Sequence, residues 1–221
     1  MNAAPSRTRW PAWLRAALCL PVALWVCFEA QRVFRTDWSS AAERRQVLDW
    51  VAGASAPKTE AEWEAARAAI QRSLDIVPDD PDMHERLGDV YFAAGQRDWA
   101  VPALRATDFG RAAQAYRQAL TLRPGEPQTW AMLATAVQAV GQDRAQVQQA
   151  WARALALGPY EGHVQPVLMQ VVLADWDGAT PQMQAWARRL FDEGNEGVRR
   201  DINAMAKRYG LVFSPDQGSK P

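Results

Sequence analysis

Four residues recur at one fixed spacing through the middle of this chain, and the last of the four is always a proline. The clearest copy is Ala112, Tyr116, Ala119 and Pro124; an earlier one is Ala66, Ile70, Ser73 and Pro78, and a later one is Val147, Trp151, Ala154 and Pro159. Steps of four and then three positions place the first three residues on one face of a helix. The proline ends each copy, because it has no N–H to donate and restrains the residue before it. A second pattern leads the later copies: Pro81, Leu87, Gly88 and Tyr91, then Pro127, Trp130, Leu133, Ala134 and Val137. A small residue lets two helices approach closely while large ones fill the space around it. Such a chain folds as repeated helical hairpins, each burying its apolar face against the next.

With both halves in register, the motif resembles the tetratricopeptide (TPR) repeat. The resemblance implies an all-α, tetratricopeptide-like helical-hairpin solenoid; an ordinary alanine-rich bundle is the competing fold. It also implies a surface that holds a partner rather than a catalytic centre. Pro124 to Pro159 is a step of 35 residues and Pro78 to Pro124 a step of 46, against ~34 in the repeat. The excess lies at Gln96 to Thr107. It reads as an insertion in the hairpin turn, with Trp99 and Leu104 as candidate partner contacts, or as a longer helix kinked at Pro102. Trp130 is expected to be a buried core aromatic.

The N-terminal segment is a second signal. Ala16 to Phe28 is apolar throughout and follows Trp10, Trp13 and Arg15. Counted from Trp10, this stretch reaches the length of a membrane span if Arg15 snorkels. Tryptophans at its start suit an interfacial belt. The expected organisation is a disordered leader over 1–9, a transmembrane anchor over 10–34, a helical domain over 36–210 and a flexible tail over 211–221. A cleaved secretory signal is the rival for the anchor, but no small-x-small site follows Phe28. Residues 1–36 carry Arg7, Arg9, Arg15, Arg32 and Arg35 against Glu29, which leaves the remainder mildly acidic, since the whole chain is formally neutral. That layout suits a single-pass bacterial inner-membrane protein with its repeats in the periplasm. Both cysteines, Cys19 and Cys27, fall in the anchor. No disulfide framework is therefore expected in the helical domain.

Chemistry-bearing motifs are scarce. His84 and His163 are the only histidines, and His84 falls where Trp130 stands one repeat later. No His–carboxylate pair at helical spacing marks a metal face, and no glycine-rich phosphate loop is present. No enzyme activity, cofactor, metal or nucleic-acid partner is expected. A carbohydrate-modifying enzyme would need a carboxylate pair, for which Asp175 and Asp177 are poorly spaced.

In TPR hairpins the first helix lines the groove. Its offsets give Asp82, Glu85, Asp89 and Phe92 in one repeat and Gln128, Ala131, Thr135 and Gln138 in the next. Glu85 and Asp89 would repel a carboxylate, so a basic or neutral polar segment is the expected ligand, with a merely solvated face as the alternative.

Particular strings narrow the family. LRPGEPQTWAMLA (Leu122 to Ala134), ALALGPYEGHVQ (Ala154 to Gln165), ADW (Ala174 to Trp176) and DMHERLGDVYF (Asp82 to Phe92) together resemble the VpsP-like polysaccharide biosynthesis proteins. The resemblance spans roughly residues 36–210. It implies a small membrane-anchored TPR protein acting with a bacterial exopolysaccharide synthesis and export complex, and no catalytic residues. A general adaptor for another envelope assembly system is the alternative.

Overall fold

The computed structural model describes residues 12–51, 53–97, 102–141 and 143–214, with side chains in the first helix described at 19–32, 34 and 41–51. Among these residues the chain is entirely helical. The elements are α1 (Ala12–Val51), α2 (Glu60–Ile76), α3 (Pro81–Arg97), α4 (Pro102–Leu122), α5 (Pro127–Val140), α6 (Arg144–Leu157), α7 (Val164–Ala174), α8 (Pro181–Glu193) and α9 (Glu196–Lys207).

Local chemistry explains most of the boundaries. Thr59 Oγ1 accepts from the Glu62 N–H at 3.1 Å while Glu62 reaches back to the Lys58 N–H at 2.8 Å, so α2 starts on a reciprocal cap. Asp80 Oδ1 accepts from the N–H groups of Asp82 and Met83 and starts α3. Thr180 and Asn195 do the same for α8 and α9 by accepting from Met183 and Val198. Gly141, at φ 73°, closes α5 in the left-handed conformation that a side chain disfavours.

The helices pair in sequence, α1 with α2, α3 with α4, α5 with α6 and α7 with α8, and α9 packs on α7 and α8 at the end. First helices also meet across hairpins, α1 with α3 and α5 with α7. Two apolar clusters result. One joins Val47, Trp50, Trp63, Ile70 and Val90 across α1, α2 and α3. The other runs from Phe92 and Phe109 through Tyr116, Val137, Trp151 and Leu168 to Phe191 and Ile202. The amphipathic α9 buries Ile202 and Ala206 over the last hairpin, as an end cap must.

Three expectations are revised. The anchor and the first helix of the domain are not separate: α1 runs unbroken for 40 residues, about 60 Å at the helical rise. Polarity changes near residue 35, but no glycine or proline follows there to stop the helix. Among the described residues no helix is long and apolar enough to cross a membrane; part of the expected span, with its leader over 1–9, lies outside those residues. Much of the expected insertion is helical: α3 continues to Arg97 and α4 is described from Pro102, with 98–101 outside the described residues. Trp99 lies outside the described residues. The tail does not begin at 211, because Leu211 and Phe213 pack against the second cluster. Phe213 makes a T-shaped contact with Trp176 at 5.3 Å, and its N–H donates to Asn203 at 3.2 Å. Residues 215–221 lie outside the described residues.

Candidate functional site

The repeat offsets single out the α3–α5 junction. Three hydrogen bonds fix its register. His84 Nε2 lies 2.8 Å from the Pro78 carbonyl, Trp130 Nε1 donates to the Pro124 carbonyl at 2.9 Å, and Gln165 Nε2 donates to the Pro159 carbonyl at 2.9 Å. Each bond spans six residues, from the first turn of one hairpin to the proline that ended the last. A helix C-terminus leaves carbonyls without partners, and these side chains supply donors. Trp130 is therefore half-buried beneath its own turn rather than a core aromatic. The buried aromatics are its neighbours in the pattern, Tyr116 and Trp151.

Gly88 explains the tight meeting of α3 and α4. A Cβ at this position would stand 2.5 Å from the Tyr116 ring. That contact lets the Tyr116 hydroxyl reach Asp89 Oδ1 at 2.8 Å, while Asp89 Oδ2 accepts from Arg86 at 2.5 Å. One turn earlier, Glu85 Oε2 accepts from Thr129 at 2.8 Å and from Arg123 at 3.0 Å. Arg123 also pairs with Asp82 at 2.8 Å. The network thus binds α3 to α4, to the loop after α4, and to α5.

Glu85 and Asp89 are buried, at 6% and 2% exposure. Ionised groups there are costly unless opposing charges and donors surround them. Burial pushes the Asp89 carboxyl up to about 7 and the Glu85 charge adds to this, while Arg86 and the Tyr116 hydroxyl act against it. Burial, then the Asp89 charge, drives the Tyr116 hydroxyl well above its usual range. Glu85 and Asp89 face their own chain rather than an open groove, which corrects the expectation of an acidic ligand face.

The other expected residues scatter. Asp82 stays exposed but is tied to Arg123. Phe92 is buried against Phe109 at 5.1 Å. Gln128 is half-buried, and its Oε1 has no hydrogen-bond partner among the described residues. Ala131 is buried, and Thr135 Oγ1 returns a hydrogen bond to its carbonyl at 3.0 Å. Gln138 Nε2 donates to the Val171 carbonyl at 2.9 Å, fastening α5 to α7. Leu104 is 53% exposed and lines a cleft with Trp63, Arg97 and Arg111. The residues missed from sequence are Arg86, Tyr116, Arg123 and Thr129. The Arg86–Asp89 spacing of three signalled one pair; Arg123 reaches Glu85 from 38 positions away, beyond any local pattern.

Among the described residues no group of histidine, cysteine and carboxylates is arranged to hold a metal ion. The arrangement defines an all-α stack of helical hairpins with a buried ionic joint. Compared with family models and with curated proteins, the chain gives no match.

Proposed function

We propose that this chain is a non-enzymatic, membrane-anchored TPR scaffold that assists assembly of an exopolysaccharide synthesis and export complex. The observation that carries the membrane part is the character of α1. Leu20, Leu24, Trp25 and Phe28 are each more than 60% exposed on it, with no helix among the described residues covering them. The same helix continues into the first hairpin, where Val47 and Trp50 are buried. A large exposed apolar surface needs a nonaqueous environment or a partner. Basic residues at Arg7, Arg9 and Arg15 favour the preceding end inside, with the repeats in the periplasm. The hairpin stack and its shared proline-carbonyl bonds support the TPR reading, and the resemblance of LRPGEPQTWAMLA, ALALGPYEGHVQ, ADW and DMHERLGDVYF to the VpsP-like proteins supports the link to exopolysaccharide.

The scaffold acts by holding proteins in place, not by turnover. A strain lacking this chain is expected to make less extracellular polysaccharide, restored by the full chain but not by one lacking residues 1–34. Normal polymer yield in the deletion strain would overturn the proposal.

A further inference from the structure

The middle hairpins carry an excess of positive charge in a chain that is neutral overall. From Pro102 to Leu157 six arginines stand against three acids, Asp108, Glu126 and Asp143. All three acids are engaged: Asp108 pairs with Arg111, Glu126 pairs with Arg123, and Asp143 caps α6 by accepting from the Ala145 N–H. In this region α4, α5 and α6 enclose a cleft of about 400 Å3 that no carboxylate lines. Arg117, Thr121, Gln146 and Gln149 stand exposed along its walls. Arg117 donates to the neutral Gln146 Oε1 at 2.8 Å and meets no acid among the described residues. Arg153 continues the row of Gln146 and Gln149 along one face of α6, about 10 Å beyond Gln146. It is exposed and has no ion pair among the described residues. The aliphatic side chains beneath the cleft are core, so Trp130 is its one apolar group partly open to solvent. Trp130 Nε1 is spent on the Pro124 carbonyl, which leaves the ring only carbon surface to present.

We propose that this cleft binds a segment of an acidic polysaccharide, with sugar carbons against Trp130, carboxylates at Arg117 and Arg153, and hydroxyls at Thr121, Gln146 and Gln149. The C–H groups of a sugar ring carry slight positive charge and suit the negative face of an aromatic ring. Guanidinium groups present forked donors that match carboxylates. Amide side chains both donate and accept, as sugar hydroxyls do, and Thr121 Oγ1, which donates to the Gln118 carbonyl at 2.7 Å, keeps its acceptor sites. A concave site with an aromatic ring and a few placed polar groups is the common make-up of a small-ligand pocket. Charge alone would suit an acidic peptide equally; three neutral hydrogen-bonding side chains beside one aromatic ring favour the sugar. This inference rests on the exopolysaccharide reading for a polymer within reach. Polymer yield in the deletion strain tests that reading, and binding by the isolated chain tests this one, so either can fail alone.

The test uses the full chain in neutral-lipid nanodiscs. Fluorescence anisotropy follows an end-labelled oligomer of galacturonic acid, its methyl ester, and an oligoglutamate of equal charge. The acidic sugar binds, the ester binds about tenfold more weakly, and oligoglutamate does not compete. Arg153→Gln and Arg117→Gln each weaken binding of the acidic sugar about tenfold and leave the ester unaffected. Gln149→Ala weakens both sugars. Arg189→Gln, which removes an exposed arginine of α8, changes neither. Unaltered thermal unfolding of Arg153→Gln, an exposed position, separates lost binding from lost fold. Absence of sugar binding, equal binding of oligoglutamate, indifference to both cleft arginines, or an equal loss in Arg189→Gln would each overturn the assignment.

Discussion

His84 and Trp130 hold the same place in successive hairpins and make the same hydrogen bond, each to the carbonyl of a proline six residues earlier. An imidazole and an indole do one job because each offers a ring N–H at the same reach. Trp130→Phe keeps the ring and loses only the donor, and is expected to cost about 1 kcal/mol in denaturant unfolding. Trp151→Ala removes a fully buried aromatic and is expected to cost about 3–5 kcal/mol. A larger loss at Trp130 than at Trp151 would contradict the register drawn here.

Gly88 permits the closest helix contact at the ionic joint. In Gly88→Ala the new methyl meets the Tyr116 ring, which is fully buried and has nowhere to turn. Overpacking of this kind costs about 1–3 kcal/mol. The expected result is a lower thermal midpoint, with partial recovery when Tyr116→Phe is added and the hydroxyl no longer fixes the ring. An unchanged midpoint in Gly88→Ala would contradict the packing.

Asp89 makes stability depend on pH in a stated direction. Its folded-state carboxyl titrates near 7, above its usual 3.8. Between these values the native chain holds one proton more than the unfolded chain at this site. The contribution of Asp89 is therefore full below about pH 4, declines as pH rises, and is lost above about pH 7. Asp89→Asn removes this titration, so unfolding of the variant varies less between pH 4.5 and 7.5 than that of the parent. Parallel curves for the two proteins would contradict the buried titration.

Phe213 clasps the end of the stack. It touches Trp176 and also Phe191, at 5.5 Å. Phe213→Ala is expected to cost about 1–2 kcal/mol, because such aromatic pairs add to the area they bury. Truncation after Gly210 should match it. Stability indifferent to both changes would return residues 211–214 to the loose tail expected from sequence.

The helices were legible where local chemistry carries the signal. Thr59 and Thr180 cap their own helices, and the recurring prolines end theirs, so these boundaries lie within short windows of sequence. The continuity of α1 was not legible, because a change from apolar to polar composition imitates a domain boundary even when the backbone continues. The character of the groove was not legible either. Glu85 and Asp89 read as exposed acids until Arg123, Thr129 and Tyr116 arrive from distant sequence to enclose them. Offsets within one hairpin indicate which face a residue takes, but not which charges the next hairpin brings against it.

The central claim is that the repeats hold exopolysaccharide proteins at a membrane. Crosslinking the tagged full chain in its native membranes, with identification of co-purifying proteins, tests it most directly. The account predicts recovery of polysaccharide polymerase, export or chain-length proteins. Recovery of a different envelope assembly system, with those proteins absent, would contradict it.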